Sequence, residues 1–184
     1  VGIYSPRTLY ALFTILNKFE ILSLPENQKQ ALQVILLHTF DASSNLWSHS
    51  NSTYRPLQLK VPNRYIEFNV WHSLEEGLKL IQHAEEKIEV TVYPIFPKEN
   101  GLCIYPGPIR DLATVSTEVD VKGIVSSVPY PNMAFWKLSA LWSGWLFGRE
   151  SIARFVTIIK RKRFNWHWHA TALSETLESL KNIV

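Results

Sequence analysis

The chain opens on a helical hydrophobic repeat. Leu9, Leu12, Leu16 and Phe19 recur every three or four positions behind Ser5-Pro6. Ser is a favoured N-cap and Pro is tolerated at the first helical position, so a helix is expected over about 6–22. Ser23 and Glu26 then stand at capping-box spacing, and "ALQVILLHTF" is apolar nearly all round, as in a helix buried on most sides. The two segments predict a helical hairpin. Residues 41–70 lose the period and are rich in Ser, Asn and Pro, which predicts a loop; loops this long are usually functional or mobile. The repeat returns at Leu74, Leu78 and Ile81, with Ser73 and Glu76 at capping-box spacing and Glu75–Lys79 as a favourable i,i+4 pair. A third helix is expected to run to about residue 86.

The texture changes at "KIEVTVYPIF", which alternates and is β-branched, predicting a strand at about 88–93. "LCIY" (102–105) and "VDVKGIVS" (119–126) are further short apolar runs, and "RDLATVSTE" between them reads as a connection with a possible helical turn. A helix is expected over 132–147, with Phe135, Leu138, Trp142 and Trp145 on one stripe, and another from Trp166 to Ile183 carrying Ala172, Leu173, Leu177 and Leu180. "SIARFVTIIKRKRF" fits helix or strand equally. Strands alternating with helices indicate an α/β fold with a parallel sheet. The expected organisation is a helical region at 1–87 with a long Pro/Ser/Asn-rich loop, followed by a partial α/β region at 88–184.

Composition narrows the class. A chain of 184 residues, 46% hydrophobic, suffices for one domain with an appended subdomain and a substantial core. No apolar run reaches the ~18 residues that a membrane span needs, and "VGIYSPRT" lacks the basic start and apolar middle of a signal peptide. The single cysteine, Cys103, excludes an internal disulfide, and a cytoplasmic location is the default expectation. A first residue of Val rather than Met suggests a processed chain, an alternative start or a fragment. Net charge is +3 with a pI near 9.0, compatible with a nucleic-acid partner.

The candidate chemistry centres on "IVSSVPYPNMAFW" (124–136). In open α/β sheets ligands sit beyond the carboxyl ends of strands. A buried strand ending in Ser-Val-Pro-Tyr-Pro would place Ser127 and Tyr130 there, on a backbone stiffened by proline. A tyrosine face stacks on a flat ligand such as a nucleobase, worth ~1–3 kcal/mol. The competing reading is a rigid turn whose tyrosine packs on the following helix. Trp136, Trp142 and Trp145 likewise suit either a base-facing surface or a core, and the size of buried aromatics favours the core.

"KRKRFNWHWH" (160–169) joins Lys160, Arg161, Lys162 and Arg163 to alternating Trp and His, a composition suited to phosphate contact and stacking, or to a solvated basic patch before a helix. His167 and His169 at i,i+2 fall on different helix faces, and no Cys or carboxylate cluster completes a ligand set, so no metal site is expected. Cys103, within an apolar run, reads as core. No Gly-x-Ser-x-Gly nucleophile motif and no P-loop occurs.

The segment "VDVKGIVSSVPYPNMAFWKLSALWSGWL" resembles the part of DNA amino-methyltransferases (the N4-cytosine and N6-adenine class) that carries the Asp-Pro-Pro-Tyr motif. There, too, an apolar strand precedes the motif and an aromatic-rich helix follows. The four positions here are Ser127, Val128, Pro129 and Tyr130. Some N4-cytosine methylases of the class use Ser first; Val128 departs from the pattern. "IYSPRTLYALFTIL" is similar to a (Phe/Tyr)-Thr-Pro-Arg-Gln-Leu helix start in large bacterial DNA methylase-like proteins. "RPLQLKVPNRYIEFNVW" and "KRKRFNWHWHATALSETLESL" are similar to later segments of the same proteins. The pieces occur in the same order and cover roughly two thirds of the chain.

The resemblance implies a partial Rossmann-like methyltransferase sheet behind a helical subdomain, and methyl transfer from S-adenosylmethionine to an exocyclic amine of a flipped base. It implies that Ser127 and the Val128 carbonyl hold the amine, Pro129 stiffens the loop and Tyr130 stacks on the base. The DNA would meet Trp136 and the basic run Lys160 to Arg163. The family's cofactor turn, however, follows Phe-x-Gly-x-Gly, and no Gly-x-Gly occurs here. The counterpart of its Gly-Asp-Ala element is Gly107-Pro108-Ile109, and proline cannot supply the acceptor carboxylate. The expected function is therefore a fragment or degenerate relative of a DNA methyltransferase. The alternatives are a catalytically inactive nucleic-acid-binding module and a protein-assembly module with a tryptophan-lined partner interface.

Overall fold

The structure is a computed structural model that describes residues 2–47, 59–82, 88–107, 111–112, 122–125, 133–160 and 166–181. The elements are α1 (Pro6–Ile21), α2 (Glu26–Ala42), α3 (Val70–Gln82), β1 (Glu89–Val92), β2 (Gly101–Ile104), α4 (Met133–Phe147), a 3₁₀ helix (Arg149–Phe155), α5 (Val156–Ile159) and α6 (Trp166–Leu180). The described residues are mostly helical, with one small parallel sheet, and so are α/β in that broad sense. They fall into two compact units: Val1–Glu85 with Asn132–Arg161, and Glu86–Pro131 with Lys162–Val184.

The first unit is a helical assembly. Ser5 caps α1: its Oγ accepts from the Thr8 amide at 3.1 Å, and Pro6 stands where no amide partner is needed. The expected Ser23 box does not form; Pro25 precedes α2 without a side-chain cap. Helix α3 begins a turn earlier than Ser73 suggests. Asn69 Oδ1 accepts from the Trp71 amide at 2.9 Å, and Ser73 lies inside the helix with its Oγ donating to Asn69 O. Asn is as good a cap as Ser, so the nearer, equally favoured residue sets the boundary.

The core joins Tyr4, Leu12 and Leu16 to Leu36 and Phe40 of α2, Leu46, Val70, and Leu138 and Trp142 of α4. Helix α4 is thus built into the amino-terminal helices. It doubles back through Gly148, whose φ of 79° suits a residue without Cβ, into the 3₁₀ helix. Gly144 lets the two approach: a Cβ there would lie 2.6 Å from Ile152 Cδ1.

Tyr4 ties the unit together. Its hydroxyl donates to the Phe40 carbonyl at 2.8 Å and accepts from Trp142 Nε1 at 2.8 Å. Phe40 O lies in the last turn of α2, where carbonyls run out of helical amides. The neighbouring amides are engaged elsewhere: Ser44 N with Asp41 O and Asn45 N with Ile3 O. The Trp145 ring packs on Tyr4, Phe13 and Phe40 at centroid distances of 5.2–5.5 Å.

In the second unit β1 and β2 pair in parallel, Val90 opposite Leu102 and Val92 opposite Ile104. Residues 93–100 link them, a shorter path than the dozen or so residues of a crossover helix. Tyr93 forms edge contacts with Phe96 and Tyr105 around that link. Gly101 is required by close packing: a Cβ there would lie 2.6 Å from Glu89 O and from Pro97. Helix α6 buries Leu180 and leaves Leu177 exposed.

Candidate functional site

The residues on which the resemblance turns, Ser127, Val128, Pro129 and Tyr130, lie outside the described residues, as do Arg161, Lys162 and Arg163. The segment before them differs from expectation. Lys122–Val125 form no strand, with Ile124 46% and Val125 102% exposed, where a buried strand was expected. Gly123 weakens strand propensity at that point, and no other described strand pairs with it.

The aromatic helix α4 is a core element for part of its length. Trp142 is buried and Trp145 packs against the core. Trp136 is half-buried and meets the Phe155 ring at 6.4 Å. Lys160, just past α5, is exposed, as is His167. Cys103 is half-buried, its Sγ 3.4 Å from Ile95 O. Among the described residues no three His, Cys, Asp or Glu side chains are grouped to hold a metal ion.

The structure does bring together two segments far apart in sequence. Glu67, in the irregular stretch before α3, reaches the start of α1. Its Oε1 accepts from Ser5 Oγ at 2.6 Å and from Thr8 Oγ1 at 3.3 Å, and its Oε2 accepts from Arg7 at 2.7 Å. The Glu67 side chain is 31% exposed and the Arg7 side chain 83%. The Ser5 hydroxyl above all, then the Arg7 guanidinium, hold the Glu67 carboxyl below its ordinary value. An open cleft of about 370 Å³ lies beside this clamp, lined by Arg7, Thr8 and Ala11 on one side and Glu67, Asn69 and Val70 on the other. Sequence reading missed Glu67. The available signal was its isolation: no other carboxylate lies between Asp41 and Glu75.

The S-adenosylmethionine implied by the resemblance needs bare glycine backbone to lie against. A Cβ on Gly107 would run into the Tyr105 ring, and Gly101 is filled by Glu89 O and Pro97. Gly101 is thus used by the chain's own packing, while the neighbour of Gly107 is the movable end of the Tyr105 side chain.

No family model matches this chain, and no curated protein or solved structure is similar to it at a level that marks relatedness.

Proposed function

We propose that this chain is a DNA methyltransferase-like segment that carries the target-base side of the site and no cofactor cradle of its own. The observation that carries the reading is the Glu67 clamp. Two of the segments that resemble methylase-like proteins, "IYSPR" and "NRYIEFN", meet through Ser5, Arg7 and Thr8, so their shared order along the chain has a physical counterpart. The β1–β2 pair supports the sheet half of the reading. Parallel sheets are normally covered on both faces. Here Val90, Val92, Leu102 and Ile104 share one face and are 45–58% exposed, as expected of the beginning of a larger Rossmann-like sheet.

In this reading Ser127 and the Val128 carbonyl accept from the exocyclic amine of a base drawn out of the duplex, Pro129 holds the turn, and Tyr130 stacks on the base. The basic run Lys160 to Arg163 meets phosphates. The filled Gly101, together with the missing Gly-x-Gly, favours one form of the proposal: a chain that handles the target base without methylating on its own.

Tyr130→Ala tests it. Affinity for a duplex carrying one unpaired base should fall by ~1–3 kcal/mol, while affinity for a fully paired duplex stays constant. Equal affinity of both proteins for the unpaired-base duplex would remove Tyr130 from the site. Calorimetry separates the two forms: no heat with S-adenosylmethionine alongside retained DNA binding identifies the inactive one.

A further inference from the structure

Charge is unevenly distributed along this chain. Residues 132–163 contain seven Lys and Arg against the single Glu150, a net +6 in a protein of net +3, so the remaining residues carry −3. That stretch includes α4, the 3₁₀ helix and α5, which pack on one another as a hairpin within one unit.

We propose that the exposed cations of this hairpin, Lys137, Arg149, Arg154 and Lys160, bind the phosphate backbone of duplex nucleic acid. This set shares Lys160 with the basic run of the proposed function but does not depend on the Ser127–Tyr130 loop or on the role proposed for that loop.

The geometry groups the cations. Lys137 precedes Gly144 by close to two helical turns, so both lie on one stripe of α4. Gly144 faces Ile152, which fixes that stripe as the one toward the 3₁₀ helix. Trp136 meets Phe155 across the hairpin, which brings the backbone positions of Lys137 and Arg154, their immediate neighbours in sequence, to the same level of it. Lys160 lies one turn further on, its amide bonded to Val156 O at 2.9 Å, and Arg149 stands at the closed end beside Gly148. From Lys137 to its end at Phe147 α4 rises about 15 Å, comparable to roughly four base steps of a duplex at ~3.4 Å each.

All four side chains are exposed, and none takes part in a hydrogen bond or ion pair among the described residues. Cations neutralised by neighbouring carboxylates would release no counterions on binding; these four are available to do so. Spaced cations on a rigid hairpin suit a polymer of regularly placed phosphates better than a single anionic ligand, which needs them convergent.

The test is a salt titration of binding to a labelled 20-base-pair duplex by fluorescence anisotropy. Each phosphate contact contributes a slope of about −0.9 in log affinity against log salt. The triple variant Lys137→Gln, Arg154→Gln, Lys160→Gln should therefore lose about 2.7 from the slope. Between 50 and 200 mM salt its affinity should fall about 40-fold less than that of the wild type. Far-UV circular dichroism checks that the exposed substitutions leave the fold intact, and Lys18→Gln with Lys29→Gln, outside the hairpin, should keep the wild-type slope. An unchanged slope in the triple variant overturns the proposal, as does wild-type protein that ignores the duplex or prefers anionic phosphatidylserine vesicles to it. Tyr130→Ala should leave the slope for the paired duplex unaltered, so loss of the target-base role and loss of this surface are told apart.

Discussion

Replacing Tyr4 by Phe removes one oxygen and keeps the ring. That oxygen carries two buried hydrogen bonds, to the Phe40 carbonyl and from Trp142 Nε1, each 2.8 Å long. Tyr4 is 5% exposed and Phe40 is fully buried, so water cannot readily replace the hydroxyl. The carbonyl belongs to the last turn of α2, whose nearby amides are committed to Asp41 O and Ile3 O. A buried group deprived of its partner costs ~1–3 kcal/mol, so two groups predict a loss of roughly 2–6 kcal/mol. For a chain of this size that corresponds to a fall in Tm of about 4–24 °C. Urea unfolding followed by tryptophan fluorescence measures it directly.

A double-mutant cycle sharpens the test. Trp142→Phe removes the indole donor but leaves the Tyr4–Phe40 bond, so combining it with Tyr4→Phe should cost less than the sum of the single changes, by at least ~0.5 kcal/mol. If Tyr4→Phe costs under ~0.5 kcal/mol, or the two changes add, the hydroxyl does not bridge α2 and α4 and the reasoning fails.

The Glu67 clamp predicts a pH dependence. The folded state holds this carboxyl below its ordinary value, so the clamp stabilises the fold at pH above the unfolded carboxylate range and loses that contribution as pH falls through the folded value. The urea midpoint of the wild type should decline on acidification through this window, and Glu67→Gln should decline less; parallel profiles would show that Glu67 contributes no such dependence. Gly101→Ala should loosen the β1–β2 pair, because the added methyl meets the Glu89 carbonyl at 2.6 Å and backbone there has little freedom to yield. Hydrogen exchange at the Tyr93 amide, which donates to Ile104 O, should accelerate at least tenfold, equivalent to ~1.4 kcal/mol of lost protection; wild-type protection would contradict the packing argument.

Local features were legible in the sequence where local chemistry decides them. Ser5-Pro6 starts α1, the Leu9–Phe19 repeat carries it, the β-branched run at 89–92 forms β1, and the apolar run at 133–147 forms α4. Misreadings arose where two signals competed. Ser73 has an ideal box partner in Glu76, yet Asn69 caps the helix first. The run at 119–126 is apolar enough for a strand, but at 122–125 it forms none. Strand formation depends on a partner as much as on composition. Glu67 carries no motif of its own; its role comes from meeting Ser5 and Arg7, 62 and 60 residues away in sequence. The site as read from the sequence rests on Ser127–Tyr130 and on Arg161–Arg163, which lie outside the described residues.

The partner of α4 was the feature least accessible to sequence reasoning, and it has the widest consequence. Its stripe of Leu138, Trp142 and Trp145 would serve equally well against a sheet or a helix bundle, because burial of aromatic area has no direction. Polar geometry decides between them: the Trp142 indole donates to a hydroxyl 138 residues earlier, in the same "IYSPR" segment whose Ser5 and Arg7 hold Glu67. Three stretches singled out for the resemblance are thereby joined in one unit through adjacent residues. Helix α4, which begins three residues after Tyr130 in sequence, is anchored by buried Ala134 and Leu138. A base-contacting loop requires such support, because an aromatic side chain that must be ordered at each encounter spends part of its stacking energy on that ordering. Tyr4→Phe therefore reaches beyond stability. If the loop acts on DNA, loosening the Tyr4–Trp142 bridge should weaken binding to an unpaired-base duplex while leaving the salt dependence contributed by Lys137, Arg154 and Lys160 in place.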